Sequence, residues 1–195
     1  MGRRGRVERR TAETAVTVEL EIEGKGDYQI QTGIPFLNHM LSLFAKHGLF
    51  DLKIQAQGDV EVDLHHTVED VGIALGEVFE KALGEKVGIK RYGSALVPME
   101  EALATVSVDL SGRPYLVYKV PSLSGRVKDF DLELGKEFFK AFANQARCNL
   151  HLELRYGEDL HHSLEALFKA FGKALDEATA LDERVKDVPS TKGKL

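Results

Sequence analysis

Two histidine-rich segments of the chain carry residue types that commonly bind metal ions. Residues 63–69 read DLHHTVE, and residues 159–165 read DLHHSLE. Neutral imidazole and carboxylate are usual protein ligands of borderline and hard divalent ions. Packing of a duplicated unit requires apolar periodicity in both copies, but it does not require His, His and Glu at matching positions. The repetition therefore predicts a metal centre.

Each segment is expected to begin a helix, because the apolar residues that follow it recur at helical spacing. Within each segment the first His and the Glu are four residues apart and share one helix face. The two adjacent histidines point about 100° apart, so we do not expect them to bind the same ion. The segments contribute six candidate ligands: His65, His66 and Glu69 from the first, and His161, His162 and Glu165 from the second.

The elements that must position these helices also occur twice. In the first half, Val16, Val18 and Leu20 alternate with polar residues and predict a strand. Pro35 is suited to the first turn of a helix, and a further strand precedes the histidine helix. The order strand, strand, helix, strand, helix recurs in the second half. We therefore predict an α+β fold of two fused, internally duplicated β-β-α-β-α halves that form a sheet packed against helices.

The internal register adds two candidate ligands. The histidine segments match at an offset of 96 residues, whereas the preceding helices, residues 43–45 and 141–143, match at an offset of 98. The second offset places His39 opposite Glu137, and both side chains can bind a metal ion. Eight candidate ligands thus fall into four internally related pairs.

Composition bounds the class of protein. The chain of 195 residues has a net charge of -5, a hydrophobic share of 43% and one cysteine. These values argue against a general nucleic-acid binder and suit a reducing compartment, and no apolar run approaches the roughly 20 residues that span a bilayer. We expect a cytoplasmic protein without nucleic-acid or membrane partners. Its single catalytic domain would comprise a basic, solvated arm (1–10), two halves (11–95 and 96–188) and a tail (189–195).

Six ordered motifs resemble one known family. They are RTAET at 10–14, TGIPFLNHML at 32–41, HHTVED at 65–70, DLSGRPY at 109–115, the stretch 161–171, and PSTKG at 189–193. Over nearly its whole length the chain is similar to imidazoleglycerol-phosphate dehydratase of histidine biosynthesis. The resemblance implies a homo-oligomer, a shell of 24 subunits, with active sites between subunits.

The resemblance also implies a reaction, the dehydration of D-erythro-imidazole glycerol phosphate to imidazole acetol phosphate. The leaving hydroxyl is beta to a proton that is not acidic, so ordinary proton abstraction would be slow. Two Mn²⁺ ions per active site, bound to the substrate's imidazole ring, would act as Lewis acids. Our hypothesis for their ligands is His39, His66, His161 and Glu165 for one ion, and Glu137, His162, His65 and Glu69 for the other.

Further roles come from the resemblance alone. The phosphate would be bound by Arg91, Arg113, Lys169, Ser190 and Lys192, although by sequence each could equally be a surface group. Glu13 would be the acid-base residue near the substrate chain, acting with the metal-site residues Glu69, Glu165, His66 and His162. Glu137 departs from the family pattern, because many members carry His there.

Two other functions use the same ligands. A hydrolase could hold a bridging hydroxide between two ions, but it would not require the basic phosphate set. A structural or storage protein could use the sites to stabilise an oligomer without turnover.

Overall fold

The computed structural model describes residues 2–120 and 125–195. The first half contains β1 (Arg4–Arg10), β2 (Thr14–Glu21), β3 (Tyr28–Gln31), α1 (Pro35–Gly48), β4 (Asp51–Gly58) and α2 (His65–Leu83). The second contains β5 (Tyr92–Met99), β6 (Ala102–Asp109), β7 (Tyr115–Lys119), β8 (Arg126–Val127), β9 (Phe130–Asp131), α3 (Leu132–Gln145), β10 (Asn149–Tyr156) and α4 (Leu160–Thr179). The α+β class and the duplication are confirmed, but each half has one more strand, β1 or β5, in front of the predicted β-β-α-β-α order.

Each half contributes one four-stranded sheet, with strand orders β1-β2-β4-β3 and β5-β6-β10-β7. In both sheets only the last pair, β3 with β4 and β7 with β10, is parallel. The inward residues of the central strands are buried, as the alternation at Val16, Val18 and Leu20 predicts. Each sheet thereby offers one apolar face to the helices.

The prediction of a solvated arm at residues 1–10 is wrong for residues 4–10. These residues form β1, which pairs with β2 from Arg4 opposite Glu21 to Arg10 opposite Ala15. Four charged residues of the strand face solvent: Arg4, Arg6, Glu8 and Arg10. Val7 packs against the core, and Arg9, on the same face, binds Asp70 at 2.8 Å, so an edge strand can look like a basic arm in sequence. Met1 lies outside the described residues. The predicted boundary at 95/96 is also wrong, because it would cut β5.

Strand register shows how the halves correspond. Arg10 pairs with Ala15 in the first half and Pro98 with Leu103 in the second, so β1 and β2 match β5 and β6 at an offset of 88 residues. The helix offset of 98 therefore reflects about ten extra residues between β7 and α3, where the second half has the β8–β9 hairpin. The two halves therefore share one topology, and the second half contains a local insertion.

The helices of the two halves interleave in the core. α1 packs against α4, and α2 packs against α3. Gly76 and Gly172 permit these crossings, because a Cβ at Gly76 would lie 2.6 Å from the Phe142 carbonyl oxygen and one at Gly172 would lie 2.5 Å from that of Phe44. The aromatic rings of Phe44 and Phe171 stack across the halves with centroids 4.9 Å apart. Among the described residues, no helix has the length and apolar character needed to cross a membrane.

Candidate metal centre

The interleaved helices bring His39, His161 and Glu165 together. Their possible ligand atoms all lie within 4.8 Å of one another. Nε2 of His39 lies 2.7 Å from Oε1 of Glu165, and Nε2 of His161 lies 3.0 Å from the same oxygen. His39 comes from α1, whereas the other two residues come from the first turns of α4. The cluster therefore spans both halves.

A second cluster, related by the duplication, contains His65, Glu69 and Glu137. Nε2 of His65 lies 3.7 Å from Oε2 of Glu69, one helical turn further along α2. Glu137 comes from α3 and lies 3.4 Å from the ammonium group of Lys140. The structure thus places Glu137 in the position that the internal register assigned to it, as the counterpart of His39.

Side-chain caps fix the beginnings of two of the four helices that carry these ligands, α3 and α4. The carboxylate of Asp159 accepts a hydrogen bond from the backbone N–H of His162 at 3.0 Å and so caps α4. Asp131 caps α3 in the same way, by accepting from the N–H of Glu133 at 3.1 Å. Each cap thus satisfies a backbone donor in the first turn of a helix that carries candidate ligands.

The carboxylates of the two clusters differ in burial. Glu165 is only 7% exposed, whereas His65, Glu69 and Glu137 are partly exposed. Burial by itself would raise the pKa of Glu165, but hydrogen bonds with Lys169, at 2.7 Å, and His39 outweigh it and lower the pKa to about 2. Glu165 is therefore ionised at neutral pH, as a metal ligand must be.

His66 and His162 are not in either cluster of the described chain. Nδ1 of His66 lies 3.1 Å from a carboxylate oxygen of Asp59, and Nδ1 of His162 lies 2.8 Å from one of Glu101. The hydrogen bond with Asp59 raises the pKa of His66, and the one with Glu101 raises the pKa of His162. Three members of each proposed four-residue ligand set are thus together.

No motif in the sequence indicated a role for Asp59 or Glu101. The bond to His162, with a second from the backbone N–H of Asp159, lowers the pKa of Glu101 to about 2. Glu13 also lies near His66, with Oε2 3.7 Å from Nδ1, but its side chain remains 55% exposed. A carboxylate therefore accompanies the second histidine of each pair.

Four of the five residues expected to bind phosphate lie near the end of the second sheet. Arg91 binds the carboxylate of Asp109 at 2.7 Å and donates to the carbonyl of Pro189 at 2.8 Å, next to Ser190. The chain end packs on Gly112, the neighbour of Arg113, and Lys192 donates its backbone N–H to Ser190 Oγ. The tail thus runs beside both arginines. Lys169 lies elsewhere, bound to Glu165.

The end of the sheet is far from His161 of the same chain. The backbone N–H of Arg91 donates to the carbonyl of Ala178, in the last turn of α4, whereas His161 is in its first turn. The rise of the helix over these 17 residues separates the two positions by about 25 Å. One chain therefore does not place its arginines beside its own first cluster.

The donor sets fit divalent metal ions. Each cluster combines imidazole nitrogen with carboxylate oxygen, the ligands shared by manganese, iron and zinc sites. Ligand atoms about 2.0 to 2.2 Å from one ion lie no more than about 4.4 Å apart, close to the spacing of each cluster. Three protein ligands would leave positions for a further histidine, a substrate nitrogen or water.

Comparisons with known proteins identify relatives over the whole chain. A family model described as imidazoleglycerol-phosphate dehydratase matches residues 32–175. The imidazoleglycerol-phosphate dehydratase of Citrifermentans bemidjiense is 58% identical over 195 residues, 100% of each chain. That of Caldanaerobacter subterraneus is 60% identical over 193 residues, 99% of this chain and 100% of the relative. The crystal structure of the enzyme from Pyrococcus furiosus matches with a TM-score of 0.84 and 38% identity, over 97% of this chain and 100% of the other.

Proposed function

The chain belongs to the imidazoleglycerol-phosphate dehydratase family, hydro-lyases of histidine biosynthesis, and from this premise we propose that its reaction depends on metal ions. The substrate would be D-erythro-imidazole glycerol phosphate, and the products imidazole acetol phosphate and water. The observation that carries the metal dependence is the pair of His and Glu clusters related by the duplication. Two Mn²⁺ ions held there would supply Lewis acidity to the imidazole ring of the substrate.

The chain's own residues would bind and orient the substrate. His39, His161 and Glu165 would hold one ion, with His66 as the fourth ligand. His65, Glu69 and Glu137 would hold the other ion, with His162 as the fourth ligand. This assignment uses all eight ligands of the sequence hypothesis. The ionised state of Glu165 and the ring nitrogens that face it support the first set.

Glu13 would transfer the proton at the glycerol chain. Its carboxylate lies beside His66 yet stays mostly exposed, so a substrate held at the metal centre could contact it. General acid-base groups must come within hydrogen-bond reach of the proton that they move. Arg91, Arg113, Ser190 and Lys192, with Lys169, would bind the phosphate away from the reacting carbons, since guanidinium groups bond phosphate oxygens in pairs.

The active site would be shared between subunits. The end of the second sheet lies about 25 Å from His161 of the same chain, and a three-carbon glycerol phosphate is too short to connect the two. A neighbouring copy must then bring its arginines and tail to the clusters. We propose a closed homo-oligomer, and 24 subunits as its size, in which every such site is complete.

The decisive experiment measures turnover with controlled metal content. The protein, stripped with a chelator and dialysed, should be inactive on imidazole glycerol phosphate, and stoichiometric Mn²⁺ should restore formation of a product one water lighter. Elemental analysis should give two ions per chain. Hydrolysis of a phosphate ester without dehydration would favour the hydrolase, and two bound ions without turnover would favour a structural role. Other divalent ions, tested in parallel, would define the metal preference.

A further inference from the structure

The turn between the first two strands of each half carries a glutamate beside the second histidine of a pair. Strand register matches β1 and β2 to β5 and β6 at an offset of 88 residues, and the same offset relates Glu13 to Glu101. Glu13 lies 3.7 Å from Nδ1 of His66, and Glu101 lies 2.8 Å from Nδ1 of His162. The two glutamates are therefore internal counterparts.

Glu13 and Glu101 differ in their hydrogen-bond partners and in their freedom to contact a substrate. In the first half Asp59, from the end of β4, already bonds Nδ1 of His66, and Glu13 stays exposed. In the second half both oxygens of Glu101 are engaged. Oε2 bonds His162, and Oε1 accepts the backbone N–H of Asp159 at 2.9 Å. Because Asp159 caps α4, Glu101 is tied to the same helix start as the ring that it holds.

We infer that Glu101 is a positioning residue, which fixes His162 by its Nδ1 and presents Nε2 to a metal ion. The inference rests on the proposed metal centre. An imidazole that donates Nδ1–H to a carboxylate has its tautomer and ring orientation fixed, and its Nε2 becomes a better ligand. Asp59 does the same for His66. The duplication thus preserves the histidine–carboxylate pair but supplies the carboxylate from different elements, and Glu13 is left to contact substrate.

The test compares manganese binding to metal-free protein and its variants. Glu101→Gln keeps the size of the side chain and one acceptor for Asp159, but removes the charged acceptor at the ring. One of the two Mn²⁺ affinities should fall about 10- to 100-fold, while the other is unchanged. Asp59→Asn is the matched variant in the first half, and it should weaken the other site.

Two further variants separate positioning from other effects. Glu100→Gln changes the neighbouring residue in the same turn and should leave both affinities as in wild type. Glu13→Gln should lower kcat while both affinities remain, since that residue is assigned to the substrate. If Glu101→Gln fails to assemble, Glu101→Asp, which keeps the charge on a shorter arm, should show a smaller loss at the same site.

The outcomes distinguish this inference from the proposed function. If wild type binds two Mn²⁺ ions and Glu101→Gln binds both with the wild-type affinities, the positioning role is overturned and the metal centre stays in place. A wild-type protein that binds no Mn²⁺ would instead overturn the proposed metal dependence. An equal loss at both sites would also contradict the inference, because Glu101 contacts a single histidine, His162, in the described part of the chain.

Discussion

Glu137 shows how a single residue can distinguish two otherwise equivalent clusters. One cluster has two histidines and a glutamate, and the other has one histidine and two glutamates. Carboxylate is a harder ligand than imidazole, so the cluster with Glu137 should favour harder ions such as Mn²⁺. We therefore expect the two proposed sites to differ in metal preference.

Substitution of Glu137 tests this difference. Glu137→Gln removes the charge and should weaken one of the two Mn²⁺ sites and lower turnover by orders of magnitude. Glu137→His, which restores the commoner family residue, should stay active and bind softer ions such as Zn²⁺ relatively more tightly. Competitive metal titration of metal-free protein, with kcat measured in parallel, provides both readouts.

The control is Glu133, the acidic residue in the first turn of α3, four residues before Glu137. Interaction of a carboxylate with the helix dipole contributes about 0.3 to 1 kcal/mol. Glu133→Gln should therefore lower the stability slightly and leave metal binding unchanged. If Glu137→Gln behaved like Glu133→Gln, with two sites and wild-type turnover, Glu137 would have no role in metal binding.

At the scale of elements, one carboxylate connects β4 to the turn between β2 and β3. Asp51 accepts backbone N–H groups of Lys25 at 2.7 Å and Asp27 at 3.0 Å. The bond from Lys25 is the main cause that lowers the pKa of Asp51 below its usual 3.8. The turn places β3, and β3 leads directly into the helix of His39.

This contact predicts an acid-sensitive contribution to stability. A carboxyl with a lowered pKa in the folded protein contributes stability above pH about 3.8, and the contribution is lost as the pH falls through the lower folded pKa. Asp51→Asn should therefore reduce stability by about 1 kcal/mol at pH 7, and the difference from wild type should disappear in stronger acid. Urea unfolding across that range provides the measurement.

Asp27→Asn, in the same exposed turn, is the matched control. Asp27 contributes its backbone N–H to Asp51, and that group is unchanged by the substitution. Its stability should follow wild type at each pH. A difference between Asp51→Asn and wild type that persists undiminished in strong acid would exclude the carboxylate as the cause.

The tail depends on another element, the loop between β6 and β7. Gly112 has a positive φ of 72°, and a Cβ there would lie 2.4 Å from the carbonyl carbon of Leu195. Gly112→Ala should displace the tail and raise KM about tenfold or more, because each hydrogen bond to a charged group contributes about 1.5 to 3 kcal/mol. Metal binding should remain. Truncation after Val188 should give the same pattern more strongly.

Gly84→Ala separates displacement of the tail from backbone strain. Gly84 also has a positive φ, of 57°, but a Cβ there would meet nothing within 4 Å. This variant should lose some stability and keep the wild-type KM. Equal KM values for Gly112→Ala, the truncated protein and wild type would remove the tail from the phosphate site.

At the scale of the whole molecule, neither candidate cluster belongs to one repeat. Each cluster takes residues from both halves, because α1 packs against α4 and α2 against α3. The arginines and tail lie about 25 Å from His161 along α4. The fold therefore separates the first candidate cluster from Arg91, Arg113 and the tail of the same chain, and in the oligomer that we propose a neighbouring copy would supply them.

This separation predicts complementation between inactive variants. His161→Ala should lose an ion, and truncation after Val188 should lose substrate binding, so each protein alone should have little turnover. After joint dissociation and reassembly, mixed oligomers should recover a substantial share of the wild-type rate, because some sites would combine an intact cluster with an intact tail. Enzyme assays before and after reassembly provide the measurement.

Two controls define the result. Reassembly of each variant with itself should restore no turnover. Simple mixing without dissociation should restore much less turnover than joint reassembly. Failure of the mixed oligomers to gain activity, although size measurements show that they form, would mean that each chain completes its own site.

The sequence by itself determined the features that depend on local periodicity. Helical spacing identified the two histidine helices, and the duplicated motifs paired His39 with Glu137 although the residue types differ. Alternation identified the central strands. β1 was missed, because its charged outer residues are stabilised by pairing with β2, a partner that local sequence does not reveal.

Only the tertiary structure decided what stands opposite each side chain. Spacing along a helix fixes a residue's direction about one axis, but the element on the other side depends on how the helices and turns pack. The bonds of His66 with Asp59 and of His162 with Glu101 are of this kind, and so is the exchange of helices between halves. The distance between the tail and the clusters likewise follows from the length of α4 and from its packing, and not from any motif.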